Sequence, residues 1–125
     1  MAAAAVTATK TLVLEDDPDT ADAMKLALER EGIQVECVST VGAALVKLEM
    51  GMTPAAAVLD LKLPDASGGI VLWRLRRRNR KMPIAVVTGM PDAMSHPELV
   101  KEPPDKLFVK PVDLHELVEW LKSVT

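Results

Sequence analysis

The chain has 125 residues, of which 49% are apolar, and it carries a formal net charge of −3 with an isoelectric point near 5.4. This length fits one compact domain, and the mild acidity together with only 2% aromatic residues disfavours a dedicated nucleic-acid binder. A single cysteine excludes an internal disulfide framework, and no apolar run reaches the roughly 18 residues that cross a bilayer. We therefore expect a cytoplasmic protein that contacts neither membrane nor nucleic acid directly.

Short apolar runs alternate along the chain with segments of helical periodicity. The runs predicted as strands are residues 11–14, 33–38, 55–61, 84–87 and 107–109. The helical segments begin at Pro18, Val41, Ile70 and Leu114, and the first two end at Gly32 and Gly51. Strands that are apolar on both faces and separated by helices predict an α/β fold, a doubly wound five-stranded parallel sheet with helices on both faces. We expect residues 1–10 to form a flexible tail and 11–125 the folded domain.

Polar side chains collect at the carboxyl ends of four predicted strands, which is where open parallel sheets bind ligands. They are Glu15, Asp16 and Asp17 after the first strand, Asp60 in the third, Thr88 after the fourth and Lys110 after the fifth. Carboxylates packed this closely repel one another unless a cation joins them, and oxygen-only ligands favour Mg²⁺. A hydroxyl and an ammonium beside a metal can hold a phosphoryl group while a carboxylate acts as nucleophile. Each acid alone is typical of a helix cap or a solvated turn, but the joint placement predicts a phosphoryl-transfer site.

Here the sequence resembles the receiver domain of two-component response regulators, over about residues 11–124. The resemblance is carried by LVLEDDP at 12–18, VLDLKLPD at 58–65 with Ser67-Gly68, VVTG at 86–89 and FVKP at 108–111. It implies a flavodoxin-like receiver fold and a phospho-accepting function. A histidine kinase or a histidine phosphotransfer protein would donate the phosphoryl group to Asp60, and the domain would then dephosphorylate itself slowly.

The resemblance also implies a set of metal ligands. Asp16 and Asp60 would bind Mg²⁺ directly, Glu15 would act through a water, and the backbone carbonyl of Lys62 would complete the protein ligands. Asp17 fits a different role, because it stands before Pro18 as an acid at the start of a helix and is expected to cap that helix.

The remaining carried-over residues bind the phosphoryl oxygens. Thr88 would donate a hydrogen bond and Lys110 would pair with another oxygen, with a cis peptide bond after Lys110. The chain departs from the family in two places. Residues 90–106 contain four prolines where the family has a regular fourth helix, so we expect that helix to be short, at 97–102, or irregular. Leu107 occupies the position of the family's switch aromatic.

Other functions remain open on the sequence alone. A receiver fold can act as a phosphorylation-independent interaction module, although the complete set of site residues argues against this. A haloacid-dehalogenase-type phosphatase requires an acid two residues after the nucleophile, where this chain has Lys62. A flavodoxin-like carrier of FMN requires a phosphate-binding loop after the first strand, where this chain has three acids.

The motifs of the sequence point to no particular downstream partner. We expect either a single-domain regulator or the receiver part of a longer protein with an effector domain beyond Thr125. Six cations lie between Arg74 and Lys81, and the four at 74, 77, 78 and 81 are spaced to share a helix face. The favoured interpretation is a solvated helix end, and the alternative is a patch that binds an acidic partner.

Overall fold

A computed structural model describes residues 9–125, so most of the predicted tail at 1–10 lies outside the described residues. The strands are β1 (Thr11–Leu14), β2 (Val35–Val38), β3 (Ala56–Asp60), β4 (Ile84–Thr88) and β5 (Lys106–Val109). The helices are α1 (Pro18–Arg30), α2 (Val41–Glu49), α3 (Gly69–Arg78), α4 (Pro97–Lys101) and α5 (Leu114–Val124). None of the helices in this part of the chain is long and apolar enough to cross a membrane.

The strands form one parallel sheet in the order β2-β1-β3-β4-β5. Successive strand residues point to opposite faces, and both faces are apolar: Leu12 and Leu14 pack with α2, α3 and α4, whereas Val13 packs with α1 and α5. Two buried layers therefore enclose the sheet, which confirms the predicted doubly wound α/β fold. This layering puts the carboxyl ends of all five strands at a single rim.

The starts of α1 and α2 follow from side chains that accept hydrogen bonds from free backbone N–H groups. Asp17 accepts a hydrogen bond from the N–H of Thr20 at 2.9 Å, as expected for the cap of α1. Asp65 reaches across from the β3–α3 loop and accepts hydrogen bonds from the first N–H groups of α2, those of Val41 and Gly42. The β3–α3 loop is thereby fixed to a neighbouring helix.

The second strand begins two residues later than predicted. The expected strand covered 33–38, but β2 starts at Val35. It lies at the edge of the sheet and pairs only with β1, whose first residue, Thr11, is the register partner of Val35. Gln34 only accepts the N–H of Thr11 at 2.8 Å, and the N–H of Ile33 donates instead to the carbonyl of Leu28 in α1, so the ladder begins at Val35.

The proline-rich segment forms a short helix, as predicted. After a 3₁₀ turn at Ala93–Ser95, Pro97 opens α4 at its first position, where a missing N–H costs nothing. Leu99 is fully buried and anchors α4 against the layer that contains α2 and α3. The helix ends before Pro103, so α4 has only five residues.

The basic run is not simply a solvated helix end, and this expectation was wrong in part. Arg76 is buried, and its guanidinium donates to the carbonyl oxygen of Met82 and to Asp105 Oδ2 at 2.8 Å. Arg78 donates to backbone carbonyls at the end of α2. Since α3 ends at Arg78, Lys81 does not belong to the helix face predicted for it. Arg76 and Arg78 thus fasten α3 to its surroundings through main-chain carbonyls.

Candidate functional site

The carboxyl-end rim of the sheet brings together side chains that are far apart in sequence. Glu15 follows β1, Asp60 ends β3, Thr88 ends β4 and Lys110 follows β5. Glu15, Asp60 and Thr88 are 3%, 5% and 2% exposed, whereas Asp16 is exposed. Two carboxylates and one hydroxyl are therefore held out of bulk water at the base of the site, with a third carboxylate at its mouth.

Lys110 joins the two buried carboxylates. Its Nζ lies 2.8 Å from Asp60 Oδ2 and 3.0 Å from Glu15 Oε1. Burial on its own lowers the pKa of the Lys110 ammonium, but the hydrogen bonds and negative charges of Asp60 and Glu15 outweigh it and raise that pKa above its ordinary value of 10.5. The ammonium is thus firmly charged at neutral pH and lies beside the carboxylate predicted to be the nucleophile.

The acidic cluster has more negative charge than Lys110 can balance. Glu15, Asp16 and Asp60 each offer a carboxylate oxygen within 4.8 Å of the others. Glu15 Oε1 is buried, and the Lys110 ammonium lies 3.0 Å from it. That one ammonium is shared between the Glu15 and Asp60 carboxylates, and Asp16 adds a third negative charge to the cluster. Three converging carboxylates that share one ammonium fit a hard divalent cation of the Mg²⁺ type.

Two backbone groups complete the rim. The N–H of Lys62 points to Asp60 Oδ1 at 3.3 Å, so the chain folds back over the Asp60 carboxylate directly after β3. The peptide bond between Lys110 and Pro111 is cis, as expected, and the N–H of Lys110 donates to the carbonyl of Thr88 at 2.8 Å. The Thr88 hydroxyl accepts a hydrogen bond from the N–H of Met90, which leaves its own O–H free to donate.

Comparison with known proteins places this site in a family. The family model described as the response regulator receiver domain matches residues 11–122, which is most of the chain. The chain belongs to this receiver domain family. The curated relatives include the photosynthetic apparatus regulatory protein RegA of Rhodobacter capsulatus, 32% identical over 110 residues, which cover 88% of this chain and 59% of RegA. The transcriptional regulatory protein TrcR of Mycobacterium tuberculosis is 30% identical over 92% of this chain and 44% of its own length. This receiver domain spans about half the length of such relatives.

Solved structures support the same assignment. A CheY-like receiver domain protein from Methanospirillum hungatei is 30% identical with a TM-score of 0.83, and the match covers 94% of this chain and 93% of that one. The response regulator protein TrrA from Thermotoga maritima, in complex with Mg²⁺ and BeF, is 25% identical with a TM-score of 0.81, covering 94% of this chain and 99% of that one. The fold expected from the resemblance is therefore confirmed.

Sequence reasoning missed one contact next to the site of this receiver domain. The hydroxyl of Ser67, in the loop that follows Asp60, donates a hydrogen bond to Glu98 on α4. Ser67 lies inside a recognised motif, but Glu98 lies in the irregular segment, and no spacing pattern links the two positions. The contact depends on how α4 packs against the start of α3.

Proposed function

We propose that this receiver domain accepts a phosphoryl group on Asp60 from a phosphohistidine of a histidine kinase or a histidine phosphotransfer protein, in a Mg²⁺-dependent reaction, and later hydrolyses it slowly. The observation that carries the proposal is the buried Asp60 carboxylate, bonded to Lys110 and within 4.8 Å of the oxygens of Glu15 and Asp16. A nucleophile, a fixed positive charge and a cation-binding acidic cluster are the components that phosphoryl transfer needs.

In the proposed reaction, one Asp60 carboxylate oxygen attacks phosphorus. The new O–P bond forms as the P–N bond to the donor imidazole breaks, and the bonding pair leaves with the imidazole nitrogen, so the product is an acyl phosphate. Lys110 is already 2.8 Å from Asp60 Oδ2 and is the group that would follow the developing charge onto a phosphoryl oxygen. Thr88 has a free O–H at the end of the neighbouring strand and would donate to a second oxygen.

The metal would be held by Asp16 and Asp60, by Glu15 through a water, and by the backbone carbonyl of Lys62. When bound, Mg²⁺ neutralises negative charge on the carboxylates and on the phosphoryl oxygens. The mutual repulsion of three carboxylates that share a single ammonium supports this assignment. Slow hydrolysis would then regenerate Asp60: water attacks phosphorus, the bond from the Asp60 oxygen to phosphorus breaks, and the products are the Asp60 carboxylate and inorganic phosphate.

The assembled site favours this function over a phosphorylation-independent interaction module, because a module of that kind has no need of a buried acid pair bridged by a lysine. Several curated relatives, TrcR among them, are named as transcriptional regulatory proteins and are about twice as long as this match. We propose that this domain passes its signal to a downstream protein or a fused effector domain and does not bind nucleic acid itself. A cytoplasmic location stays a prediction.

The proposal is tested by phosphorylation with a small donor. The parent protein, incubated with Mg²⁺ and acetyl phosphate, should gain the mass of one phosphoryl group, and Asp60→Asn should gain none. Asp65→Asn is the matched control, because it removes a nearby carboxylate that caps α2 and lies outside the site. Labelling of Asp60→Asn at the parent level would refute the assignment of Asp60. Failure of the parent itself to take up phosphate would favour the interaction module.

A further inference from the structure

The short helix α4 is fixed to the loop that follows the phosphoacceptor. Glu98, in the first turn of α4, accepts the hydrogen bond from the Ser67 hydroxyl, and Ser67 Oγ in turn accepts one from the N–H of Gly69 at 3.1 Å. The Glu98 carboxylate lies over the start of α3, so closely that a Cβ built on Gly69 would be 2.7 Å from it. A side chain of α4 therefore closes the end of the β3–α3 loop.

The same loop leads back to Asp60 by direct contacts. Ser67 pairs with Lys62 in an isolated antiparallel bridge, and the N–H of Gly68 donates to the carbonyl of Leu61 at 2.8 Å. A Cβ on Gly68 would overlap the carbonyl oxygen of Asp60, at 1.8 Å. The segment from Asp60 to Gly68 is thus one tight turn whose two ends touch, and Glu98 contacts it at Ser67.

Few other contacts hold α4 in place. It has five residues, and Leu99 is its buried side chain. At the other end of α4, the Glu102 carboxylate pairs with Arg80, which follows α3; Arg80 Nη1 and Glu102 Oε2 are 2.9 Å apart. Elements with little buried surface open at low free-energy cost, so one charge-assisted hydrogen bond is a substantial part of what positions α4.

We propose that Glu98 is a positioning residue that couples α4 to occupancy of the Asp60 site through Ser67 and the turn that carries Lys62. This rests on the proposed function, in which the Lys62 carbonyl is a metal ligand. The hydrogen bond between Ser67 and Glu98 is present together with the assembled acidic cluster, so it holds the Asp60–Gly68 turn in the arrangement that binds the cation. Loss of this hydrogen bond then weakens Mg²⁺ binding. Coupling of this kind is reciprocal, so occupancy of the site also stabilises α4.

The test compares Glu98→Ala with Glu102→Ala. Both variants remove one carboxylate from α4 or its end, but only Glu98 contacts the β3–α3 loop. Two measurements are made on each variant: titration of the protein with Mg²⁺ and beryllofluoride, and hydrogen exchange over 97–101 with and without these ligands. We expect Glu98→Ala to raise the apparent dissociation constant about fivefold or more and to abolish the ligand-induced protection of α4. Glu102→Ala should stay within about twofold of the parent and keep that protection.

A second variant separates coupling from damage to α4. Gly69→Ala adds a methyl group at the first position of α3, where its nearest neighbours are the Glu98 carboxylate atoms, so it displaces that carboxylate and leaves the interior of α3 unchanged. It should reproduce the weaker binding of Glu98→Ala with an unchanged or higher melting temperature. In the Ser67→Ala/Glu98→Ala double variant, the loss of affinity for Mg²⁺ and beryllofluoride should not exceed the loss in whichever single variant is more affected.

The outcomes separate the role of Glu98 from the proposed phosphoryl-accepting function on which it rests. If the parent binds neither Mg²⁺ nor beryllofluoride, the proposed function fails. If the parent binds both, but Glu98→Ala and Gly69→Ala behave like Glu102→Ala, the role of Glu98 is refuted while the proposed function stands. Additive losses in the double variant would also refute it, because they would place the effect of Glu98 outside the Ser67 contact.

Discussion

Replacing the buried arginine of α3 should be the most destabilising change in the basic run. The side chain of Arg76 is 7% exposed and bonds to the carbonyl of Met82 and to Asp105, whose own side chain is 48% exposed. Arg76→Met leaves the buried Met82 carbonyl without that donor, at about 1–3 kcal/mol. Loss of the ion pair with Asp105 costs less stability than loss of a fully buried pair would. The Asp105 carboxylate can be hydrated, and it still accepts the hydrogen bond from the N–H of Ile84 at 2.8 Å. We expect the free energy of unfolding to fall by about 3 kcal/mol.

Urea denaturation followed by far-ultraviolet circular dichroism measures this loss, with Arg77→Met as the matched control. Arg77 is the next residue but is exposed and stacks on Trp73, with its guanidinium carbon 4.8 Å from the ring centroid. Its replacement should change the free energy of unfolding by about 0.5 kcal/mol or less. If Arg76→Met and Arg77→Met lose the same stability, the anchoring role of the buried Arg76 guanidinium is refuted.

Three further predictions concern the site and its surroundings. Millimolar Mg²⁺ should raise the melting temperature of the parent and raise that of Asp16→Asn less; an unchanged parent melting curve would exclude a metal site. The backbone N–H groups at the start of α2 hold the pKa of Asp65 below its ordinary 3.8. The stability that the Asp65 carboxylate adds to the fold is therefore complete above pH 3.8 and is lost as the pH falls through the lower folded-state pKa. The melting temperature of Asp65→Asn should fall less steeply than that of the parent at acid pH, and an identical fall would contradict this. Beryllofluoride should change hydrogen exchange over residues 89–104 without producing a strong dimer through α4, β5 and α5 in sedimentation, because Leu107 offers no aromatic switch; unchanged exchange beside a tight dimer would show that this departure has no effect.

Local patterns in the sequence predicted the elements and the rim residues well. Strand positions follow from apolar runs, and helix starts follow from capping pairs such as Asp17-Pro18, whose geometry is set by neighbours in the chain. Glu15, Asp60, Thr88 and Lys110 could be placed together because parallel strands end at the same rim. These predictions needed only periodicity and topology.

Contacts that depend on tertiary packing could not be predicted in the same way. Arg76 appeared within a run of charges, and its burial is set by the carbonyl of Met82 and by Asp105, 29 residues away. A signal was present, because Arg76 lies four residues after the buried Leu72 and so falls on the apolar stripe of α3. The link between Ser67 and Glu98 had no such signal, since neither position lies on a periodic apolar face.

The close packing of Gly68 on the backbone of Asp60 makes the tolerance of this site to mutation uneven. Any side chain at position 68 would collide with a main-chain oxygen, which cannot rotate aside as the tip of a side chain can. A Cβ at Gly89, directly after the neighbouring strand β4, would meet nothing within 4 Å. A randomised library intended to retune the lifetime of the acyl phosphate should therefore vary position 89, where a Cβ is accommodated, and keep glycine at position 68.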